Sequence, residues 1–547
     1  MTHAKHIIKQ FSFIGILCGM LFFTASLTPS LLPRTIFFQG VLSGLVCAVG
    51  YGVGCVIVWM WNYLEIPLIP EKNQKLYKII TCILSSLVVI HGLLHATIWQ
   101  NSILIAMHHE PLIDFHHTLS VLIAVPLAFL CIIIARVMRI FFRYITQKIH
   151  TIIPRRISHF FGFCIAATVL FFTLNGILTQ TLFEYIDTKY ARLDHYTDSA
   201  AQKPYSPFKS GSNQSLVSWN SLGRQGRNFV STGPTKEDIA QFTHTDATEP
   251  IRVYVGLIEN TSIEERAQLA LAELKRTHAF ERSILIVTTP TGTGWMDPAA
   301  LDTVEYLHGG DTAIVALQYS YLQSQHTLFV DAEKPKNAAK TLLSAVYNHW
   351  TTLPRDARPK LYLNGVSLGA FGSESSFEIH KMIDDPVNGA LWAGSPFLSP
   401  LRADIIAKRN PDSPAWLPVY EDSTFIRFYG QNGYYHTPQN GWKNTRIIYL
   451  QNATDPISFF SFDLLYKKPA WLDGTRGPDV SPLLHWYPVI TFFQILFDTT
   501  ASVSDTPKGH GHNYAPTHYI DAWIDLTDPP HWTTEKTQRL RELFFQK

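Results

Sequence analysis

The sequence predicts an α/β fold, a mostly parallel sheet flanked by helices, preceded by an all-α domain of about five transmembrane helices. The first 183 residues are dominated by long apolar runs. In the rest of the 547-residue chain, strand-like and helix-like segments alternate, which is typical of a parallel sheet covered on both faces. A Gly-x-Ser-x-Gly pattern lies where one strand-like segment changes into a helix-like one.

The amino-terminal domain contains five apolar stretches that are long enough to cross a bilayer. A membrane helix needs about 20 mostly apolar residues, because lipid offers the backbone no hydrogen bonds. The stretches run from Phe11 to Leu27, Phe37 to Trp61, Tyr77 to Trp99, Leu119 to Phe142 and Phe160 to Leu182. We therefore predict a transmembrane domain over residues 1–183, a polar linker over 184–217 and a catalytic domain over 218–547.

Positive charge in the short connections predicts the orientation of these helices, because Lys and Arg stay on the cytoplasmic side. The opposite connections carry only Arg34, and none between Gln100 and Thr118. With an odd number of crossings, the chain after Leu182 lies outside the cytoplasm. We expect a multi-pass protein of the cell membrane with an extracytoplasmic catalytic domain. The cytoplasmic charges are Lys5, Lys9, Lys72, Lys75, Lys78, Arg136, Arg139, Arg143, Lys148, Arg155 and Arg156.

Composition argues against two classes of site. The net charge is +2 and the second half has no basic stripe with interleaved aromatic residues, so a nucleic-acid partner is not expected. All six cysteines lie in the apolar first part, which leaves the catalytic domain without a disulfide framework or a Cys-based metal site. We expect no cofactor, and the sequence does not predict an oligomeric state.

Six strand-like runs and four helical patterns alternate after the linker. The runs are Ile251–Leu257, Ser283–Thr289, Thr312–Tyr319, Lys360–Asn364, Gly389–Ala393 and Arg446–Gln451. The helical patterns are Glu264–Arg276, Pro298–His308, Lys336–Trp350 and Ala370–Met382. Ligands of parallel sheets bind beyond the carboxyl ends of the strands, so we expect the functional site at that edge.

Ser367 is the predicted nucleophile. It lies in Gly-Val-Ser-Leu-Gly, residues 365–369, directly after the strand-like run that begins at Lys360. A serine on a sharp strand-to-helix turn is pushed out at the edge of the sheet, and the flanking glycines let strand and helix approach closely. The alternative is a Gly/Ser helix entry without chemistry.

A serine hydroxyl needs a base to take its proton and a carboxylate to orient that base. In proteins that carry the nucleophile on such a Gly-x-Ser-x-Gly turn, the three residues follow one another along the chain in the order Ser, acid, His. Asp455 follows an apolar strand and lies in a turn, so it is the first candidate for the acid. His510 and His512, in Gly-His-Gly-His before a helix that starts near Pro516, are equal candidates for the base. The weaker acid candidates are Asp463, Asp473 and Asp479.

Two alternatives remain for the histidines. If the segment is extended, both imidazoles point the same way, and one is the base while the other faces substrate or is structural. His-x-His also resembles a metal-ligand spacing, but no third ligand follows in an obvious motif.

Acyl transfer also needs hydrogen-bond donors aimed at the oxyanion. The backbone N–H of Leu368 is one candidate by its position after the nucleophile. The second is expected in the loop after the Ser283 strand, at Thr291, Gly292 or Thr293.

Several motifs in this order resemble those of membrane-anchored bacterial α/β-hydrolases, which have a multi-helix amino-terminal domain and a carboxyl-terminal catalytic domain. The resemblance covers most of the chain. It implies an α/β-hydrolase fold and a serine hydrolase with Ser367 as nucleophile, Asp455 as acid and His510 or His512 as base. The motifs are residues 26–34, 222–229, 316–321, 365–369, 476–479 and 509–512.

We therefore expect a membrane-bound serine hydrolase, esterase-like or lipase-like, that cleaves an ester through an acyl-enzyme. Its expected partners are membrane lipids and a small-molecule or lipid ester, such as an acylated envelope molecule. An acyltransferase would use the same triad, and a non-catalytic binding module is the alternative of another class. More than 50 residues separate Asp455 from the histidines. They are expected to form a lid, a bilayer-facing surface or, over Val489–Leu496, a helix packed on the core.

Overall fold

The computed structural model describes residues 11–67, 71–113, 117–150, 189, 192–194, 196–258, 261–324, 327, 331–378, 382–501 and 506–546. They form two compact units. The helical unit comprises Met1–Glu184, Phe460–Leu472 and Pro478–Asp505, and the sheet unit comprises Tyr185–Phe459, Asp473–Gly477 and Thr506–Lys547. Two stretches after residue 459, within the predicted catalytic domain, thus pack with the apolar helices.

The helical unit begins with four helices, of which three are long and apolar enough to cross a membrane. Helix α1 has 14 residues and is about 21 Å long, which is shorter than the roughly 30 Å core of a bilayer. The prediction of a full span there is wrong, because Pro29 and Pro33 follow the helix end and proline cannot continue a helix. The fifth predicted helix, Phe160 to Leu182, lies outside the described residues. The four are α1 Phe13–Ser26, α2 Ile36–Tyr63, α3 Glu71–Ala106 and α4 His117–His150.

Glycines let these helices pack closely. A Cβ added to Gly50 of α2 would lie 2.6 Å from the Phe22 side chain of α1, and one on Gly44 would lie 2.8 Å from the Ala124 carbonyl of α4. Small residues at such crossings are typical of membrane helices, where close van der Waals packing replaces the hydrophobic effect.

The sheet unit contains seven parallel strands in the order β1-β3-β2-β4-β5-β7-β6. All six predicted strands are confirmed, with ends that differ by at most two residues. The sequence pattern missed β6, because it is a four-residue edge strand with Arg427 inside it. The strands are β1 Ile251–Val255, β2 Ile284–Thr289, β3 Thr312–Leu317, β4 Lys360–Val366, β5 Gly389–Ala393, β6 Ile426–Tyr429 and β7 Arg446–Leu450.

Helices cover the sheet as predicted, although the helix predicted to begin at Lys336 begins three residues earlier, at Glu333. The helix after Ser367 ends at Ser376, although the pattern predicted it to reach Met382. The hydroxyls of Ser375 and Ser376 bond to the carbonyls of Phe371 and Ser373, and such local bonds compete with helix continuation.

The remaining α-helices are α5 Gly223–Thr232, α6 Lys236–Thr243, α7 Ile263–Arg276, α8 Pro298–Leu307, α9 Glu333–Trp350, α10 Leu368–Ser376, α11 Pro400–Ala407, α12 Pro456–Phe459, α13 Ile490–Ala501, α14 Pro516–Thr527 and α15 Thr534–Gln546. Short 3-10 helices cover Trp219–Leu222, Ala279–Glu281, Phe462–Leu465 and Ala470–Leu472. Of these, α13 and the last two 3-10 helices belong to the helical unit.

The core of the sheet unit is the sheet itself. Every residue of β1, β2, β3 and β5 is buried, as expected for a parallel sheet covered on both faces. Because all strands run the same way, the segments that follow β2, β4, β5 and β7 leave from one edge. The residues predicted from sequence as nucleophile, acid and oxyanion donors are all in these segments.

Candidate active site

Ser367 lies in a strained turn between β4 and α10. Its backbone has φ 57° and ψ −125°, a conformation that costs a residue with a Cβ about 1–3 kcal/mol. The turn is held by the Ser367 N–H, which donates to the Ala393 carbonyl at 2.8 Å. Ser367 thus has backbone dihedral angles, directly after the strand end, that residues with a Cβ rarely adopt.

The flanking glycines are required by close approach. A Cβ on Gly365 would lie 2.5 Å from the backbone of Gly369, and one on Gly369 would lie 2.1 Å from the Thr289 carbonyl at the end of β2. Both distances are too short for a carbon atom, so only glycine fits. The second contact also places the loop after β2 directly against the start of α10.

Asp455 and His512 form a buried pair. The Asp455 Oδ2 and the His512 Nδ1 are 2.8 Å apart, and both side chains are almost fully enclosed. A carboxylate at Nδ1 fixes the tautomer that carries its proton there and leaves Nε2 as the acceptor. In the part of the chain that the structure describes, Nε2 of His512 is buried without a hydrogen-bond partner, which is the state required of a general base.

Further donors hold the Asp455 carboxylate. The Tyr514 hydroxyl donates to Oδ2 at 2.8 Å, as does the Ser458 hydroxyl at 3.1 Å. The Ile457 N–H donates to Oδ1 at 2.9 Å. Burial by itself raises the pKa of Asp455, but the electrostatic interaction with His512 and the hydrogen bonds from His512, Tyr514 and Ile457 outweigh it, so the pKa lies below its usual range. The group is therefore ionised at neutral pH.

The loop that carries His512 is fixed by side chains near Asp455. The Gly511 N–H donates to the Thr454 hydroxyl, and the Asn452 amide donates to the Gly511 carbonyl, both at 2.9 Å. The imidazole lies over Gly394, where a Cβ would be 2.6 Å from Cε1. Gly394 directly follows Ala393, whose carbonyl binds the Ser367 N–H, so nucleophile and imidazole flank the same strand end.

His510 has other partners. Its Nδ1 accepts from the Gln431 side-chain amide at 2.9 Å. The segment is not extended, because Gly509 and Gly511 have positive φ angles of 91° and 54°. Two such residues reverse the chain, so the two imidazoles do not line one face, as an extended segment would require.

The weaker acid candidates lie elsewhere. Asp463 is exposed and accepts from the Tyr466 hydroxyl at 2.8 Å. Asp473 is also exposed, and Asp479 is buried in the helical unit. Across the described ranges, no three His, Cys, Asp or Glu side chains are grouped so that they could hold a metal ion.

The oxyanion candidates are only partly suited to that role. The Leu368 N–H is at the first position of α10, where helix geometry provides no acceptor. The Thr291 N–H instead donates to the Trp295 carbonyl at 2.8 Å, and the Gly292 N–H donates to the Ser324 hydroxyl at 3.1 Å. In this arrangement neither group is available to an oxyanion, which leaves Thr293 as the remaining candidate in the loop.

Sequence reasoning missed Tyr514 and Ser458. Ser458 was detectable, because Asp-Pro-Ile-Ser at 455–458 resembles the start of a capped helix, with the aspartate at N-cap and proline at the first helical position. Tyr514 gave no such signal. Its hydroxyl reaches Asp455 only because the turn at Gly511 folds the chain back.

Residues 251–540 match the model of an alpha/beta-hydrolase family, and residues 27–234 match the model of the amino-terminal part of an alpha/beta-hydrolase family. The chain belongs to this alpha/beta-hydrolase family. The match confirms the resemblance that its motifs indicated.

Other comparisons add little to this family assignment. A solved structure from work on LipS and LipT, two metagenome-derived lipolytic enzymes, is 11% identical over 33% of this chain and 89% of that chain, with a TM-score of 0.16. A score that low supports no conclusion about this alpha/beta-hydrolase. No curated protein matches the chain.

Proposed function

We propose that the protein is a membrane-bound serine hydrolase that cleaves esters, with Ser367 as nucleophile, His512 as base and Asp455 as acid. The observation that carries the proposal is the enclosed His512–Asp455 pair, which lies against the same strand end as the strained turn of Ser367. A buried carboxylate and a strained serine are each costly, and acyl transfer is the chemistry that uses both.

The reaction has two halves. The Ser367 Oγ attacks the acyl carbon while its proton moves to His512 Nε2, and the carbonyl electron pair shifts to the oxygen, which accepts from the Leu368 N–H. Collapse of this intermediate breaks the ester bond, and the His512 proton goes to the leaving alcohol. Water then repeats the sequence on the acyl-enzyme, and the acid is released with Ser367 restored.

Asp455 acts throughout by orienting the imidazole and stabilising its protonated form. Its lowered pKa keeps it ionised when the His512 ring gains a proton. An alcohol that replaces water in the second half would give an acyltransferase, so products are to be analysed with and without added alcohols.

Labelling with a fluorophosphonate probe tests the proposal. Wild-type protein should be labelled at Ser367 and should hydrolyse a short-chain ester. Ser367→Ala should abolish both, whereas Ser375→Ala, a half-buried helical serine on α10, should change neither. Labelling that persists in Ser367→Ala would refute the nucleophile, and a folded wild type without labelling or turnover would favour a binding module.

His510 and His512 provide a matched pair for the base. His512→Ala should remove hydrolysis and probe labelling, because Ser367 then has no proton acceptor. His510→Ala should retain both to within severalfold, since its ring is bonded to Gln431. The reverse result would exchange the two roles.

We also propose that the sheet unit lies outside the cytoplasm. The α1–α2 connection and residues 100–118 together carry one basic residue, Arg34, and the positive-inside rule puts such connections outside. A reporter fused after Asp194 should be active only as an extracytoplasmic fusion, and one that works only in the cytoplasm would contradict this orientation.

A further inference from the structure

The 46 residues from Phe460 to Asp505 interrupt the sheet unit between Asp455 and His512. All but Asp473–Gly477 belong to the helical unit. Short chain segments therefore join the loops of both proposed catalytic residues to a unit whose helices are long and apolar enough to cross a membrane.

Helix α13 packs alongside the helices of that unit. Ile490 forms a buried cluster with Leu42 and Val46 of α2, against which Phe493 and Phe497 also pack. Leu42 and Val46 are six and ten residues beyond Ile36, the first residue of α2, which is about 9 and 15 Å along the helix. Helix α13 therefore lies beside the first half of α2.

A buried ion pair fixes α13 in this position. Asp498 Oδ1 accepts from Arg34 Nε at 3.1 Å, and Oδ2 accepts from the backbone N–H groups of Leu31 and Leu32 at 3.0 and 3.3 Å. The two charged side chains are 2% and 0% exposed. These three hydrogen bonds, one of them from the guanidinium, join α13 to the α1–α2 connection.

The middle of the inserted stretch contacts α3. The Ser481 hydroxyl is 2.7 Å from the Ser102 hydroxyl, one turn before α3 ends at Ala106. The stretch thus runs beside the α1–α2 connection and the end of α3, where helices meet the edge of the apolar zone.

Three aromatic side chains in this stretch are exposed. Phe462, Tyr466 and Tyr487 are 59%, 70% and 36% exposed, and Lys467 and Lys468 beside them are exposed as well. We call these five residues the aromatic surface. Aromatic rings together with lysines are the side chains that membrane proteins place at the level of the lipid headgroups, where rings are half immersed and ammonium groups meet phosphates.

We propose that the aromatic surface is seated in the headgroup layer of the bilayer, and that the Ser367 site therefore acts on esters carried by membrane lipids. The occupant of the surface is the lipid headgroup layer itself, because the surface is continuous with a unit whose helices are built to be surrounded by lipid. The second clause rests on the proposed serine hydrolase function.

Chain length limits how far the catalytic acid can be from this surface. Phe462, the first residue of the aromatic surface, is seven residues beyond Asp455, and an extended chain spans at most about 3.6 Å per residue, so the two are no more than about 25 Å apart. A site tied that closely to a headgroup-level segment is suited to an amphiphilic ester and needs no soluble carrier for it.

The first test does not depend on catalysis. A bimane label is attached to Tyr466→Cys, or to Tyr205→Cys as the control, in full-length protein whose six native cysteines are replaced by serine, and the protein is reconstituted into phosphatidylcholine–phosphatidylglycerol vesicles. Tyr205 is a 97% exposed tyrosine of the sheet unit. A headgroup-located lipid quencher should quench the label at 466 at least about threefold more than at 205. Equal quenching, or preferential quenching at 466 by aqueous iodide, would overturn the proposal.

The second test compares two substrates in vesicles. The triple variant Phe462→Ser, Tyr466→Ser, Tyr487→Ser should lose about tenfold in hydrolysis of a long-chain phospholipid ester. Its turnover of a soluble short-chain ester and its labelling by the fluorophosphonate probe should stay within twofold of wild type. The control variant Tyr205→Ser, Phe545→Ser, which changes exposed rings of the sheet unit, should lose neither activity.

These outcomes separate the two proposals. Equal losses on both substrates, or no loss on either, would overturn the substrate class. If wild type shows neither soluble-ester turnover nor Ser367 labelling, the hydrolase function fails and the substrate class fails with it. The quenching measurement still decides where the aromatic surface lies.

Discussion

The two units of the chain are built in opposite ways. In the sheet unit, the apolar strand residues are buried, and buried charges such as Arg252 form compact networks, here with Asp302 and Glu305. In the helical unit, only 17% of the most apolar windows of α3 and α4 is buried. Its interior instead contains buried polar side chains, which include Ser26, Ser30, Arg34, Gln39, Ser43, Gln494 and Asp498.

This difference in what is buried indicates that the sheet unit is suited to water and the helical unit to lipid. Water drives apolar groups inward, so a soluble layer architecture hides its strands. Lipid is as apolar as leucine, so helices in it associate through close packing and polar contacts. This contrast can be tested by substitutions. A charge or a contact is changed in one unit, and the effect is compared with that of a matched substitution in the other unit or in the same one.

The largest effect is expected for the catalytic carboxylate. Asp455→Asn should lower kcat by about 10⁴, because the amide has no charge to stabilise the protonated imidazole, and its NH2 group can donate to Nδ1 and so favour the wrong tautomer. Steady-state hydrolysis of a short-chain ester measures this. Asp463→Asn, at an exposed aspartate of the helical unit, should stay within twofold, and comparable losses would mean that the acid is misassigned.

The next effect is on the stability of the helical unit. Asp498→Ala should lower the free energy of unfolding by about 3–5 kcal/mol, because Arg34 is then a buried charge without its partner. Thermal or denaturant unfolding in micelles, followed by circular dichroism, measures this. The double variant Arg34→Met, Asp498→Leu should recover most of the loss.

The matched control is an exposed pair of the sheet unit. Lys408 and Asp404 are 2.8 Å apart but more than half exposed, so Asp404→Ala should cost less than about 1 kcal/mol. If Asp404→Ala and Asp498→Ala destabilise equally, the contrast between the units does not hold.

A third prediction concerns two glycines of the sheet unit with similar backbones. Gly394 and Gly474 have φ angles of 58° and 72°, but an added Cβ would clash with His512 only at Gly394, whereas Gly474 has open space. Gly394→Ala should therefore lower kcat/KM about 100-fold by displacing the imidazole. Gly474→Ala introduces a similar backbone strain but no contact with His512, so it should leave kcat/KM unchanged. Equal losses in the two variants would mean that backbone strain, and not displacement of the imidazole, causes the loss at Gly394.

The smallest effect depends on pH. Burial raises the pKa of Glu374 to about 7, although hydrogen bonds from Arg402, Tyr449 and Leu401 lower it in part. A carboxyl group with a raised folded-state pKa stabilises the fold below its unfolded pKa of about 4.3, and this contribution is lost as pH rises towards 7. Wild type should lose stability over that window.

Glu374→Gln should remove this pH dependence. The variant should be about 1–2 kcal/mol more stable than wild type at pH 8 and nearly equal at pH 4.5, as measured by denaturant unfolding. A variant that is less stable than wild type at pH 8 would show that the ionised carboxylate is needed there.

Much of the sheet unit could be predicted because its signals are local. The six predicted strands are short apolar runs, and the turn at Ser367 is written in five consecutive residues. The acid candidate Asp455 follows a strand that the pattern identified. Short-range periodicity and glycine positions express the backbone demands of each element directly.

Local sequence could not predict which of the two histidines pairs with Asp455. His510 and His512 are two residues apart in one motif, and only the positive φ angles of Gly509 and Gly511 send one ring to Asp455 and the other to Gln431. The pairing of Tyr514 with Asp455 follows from the same turn. Backbone conformations of glycine cannot be read from its identity, because it adopts both signs of φ with equal ease.

The amino-acid sequence by itself determined the apolar helices, the parallel sheet and the position of the strained serine, since each depends on residues that are neighbours in the chain. Only the tertiary structure decided that Arg34 binds Asp498, 464 residues away, and that the stretch after Phe459 packs with the apolar helices. Such contacts form only when segments that are distant in the chain pack together, so no local sequence pattern predicts them.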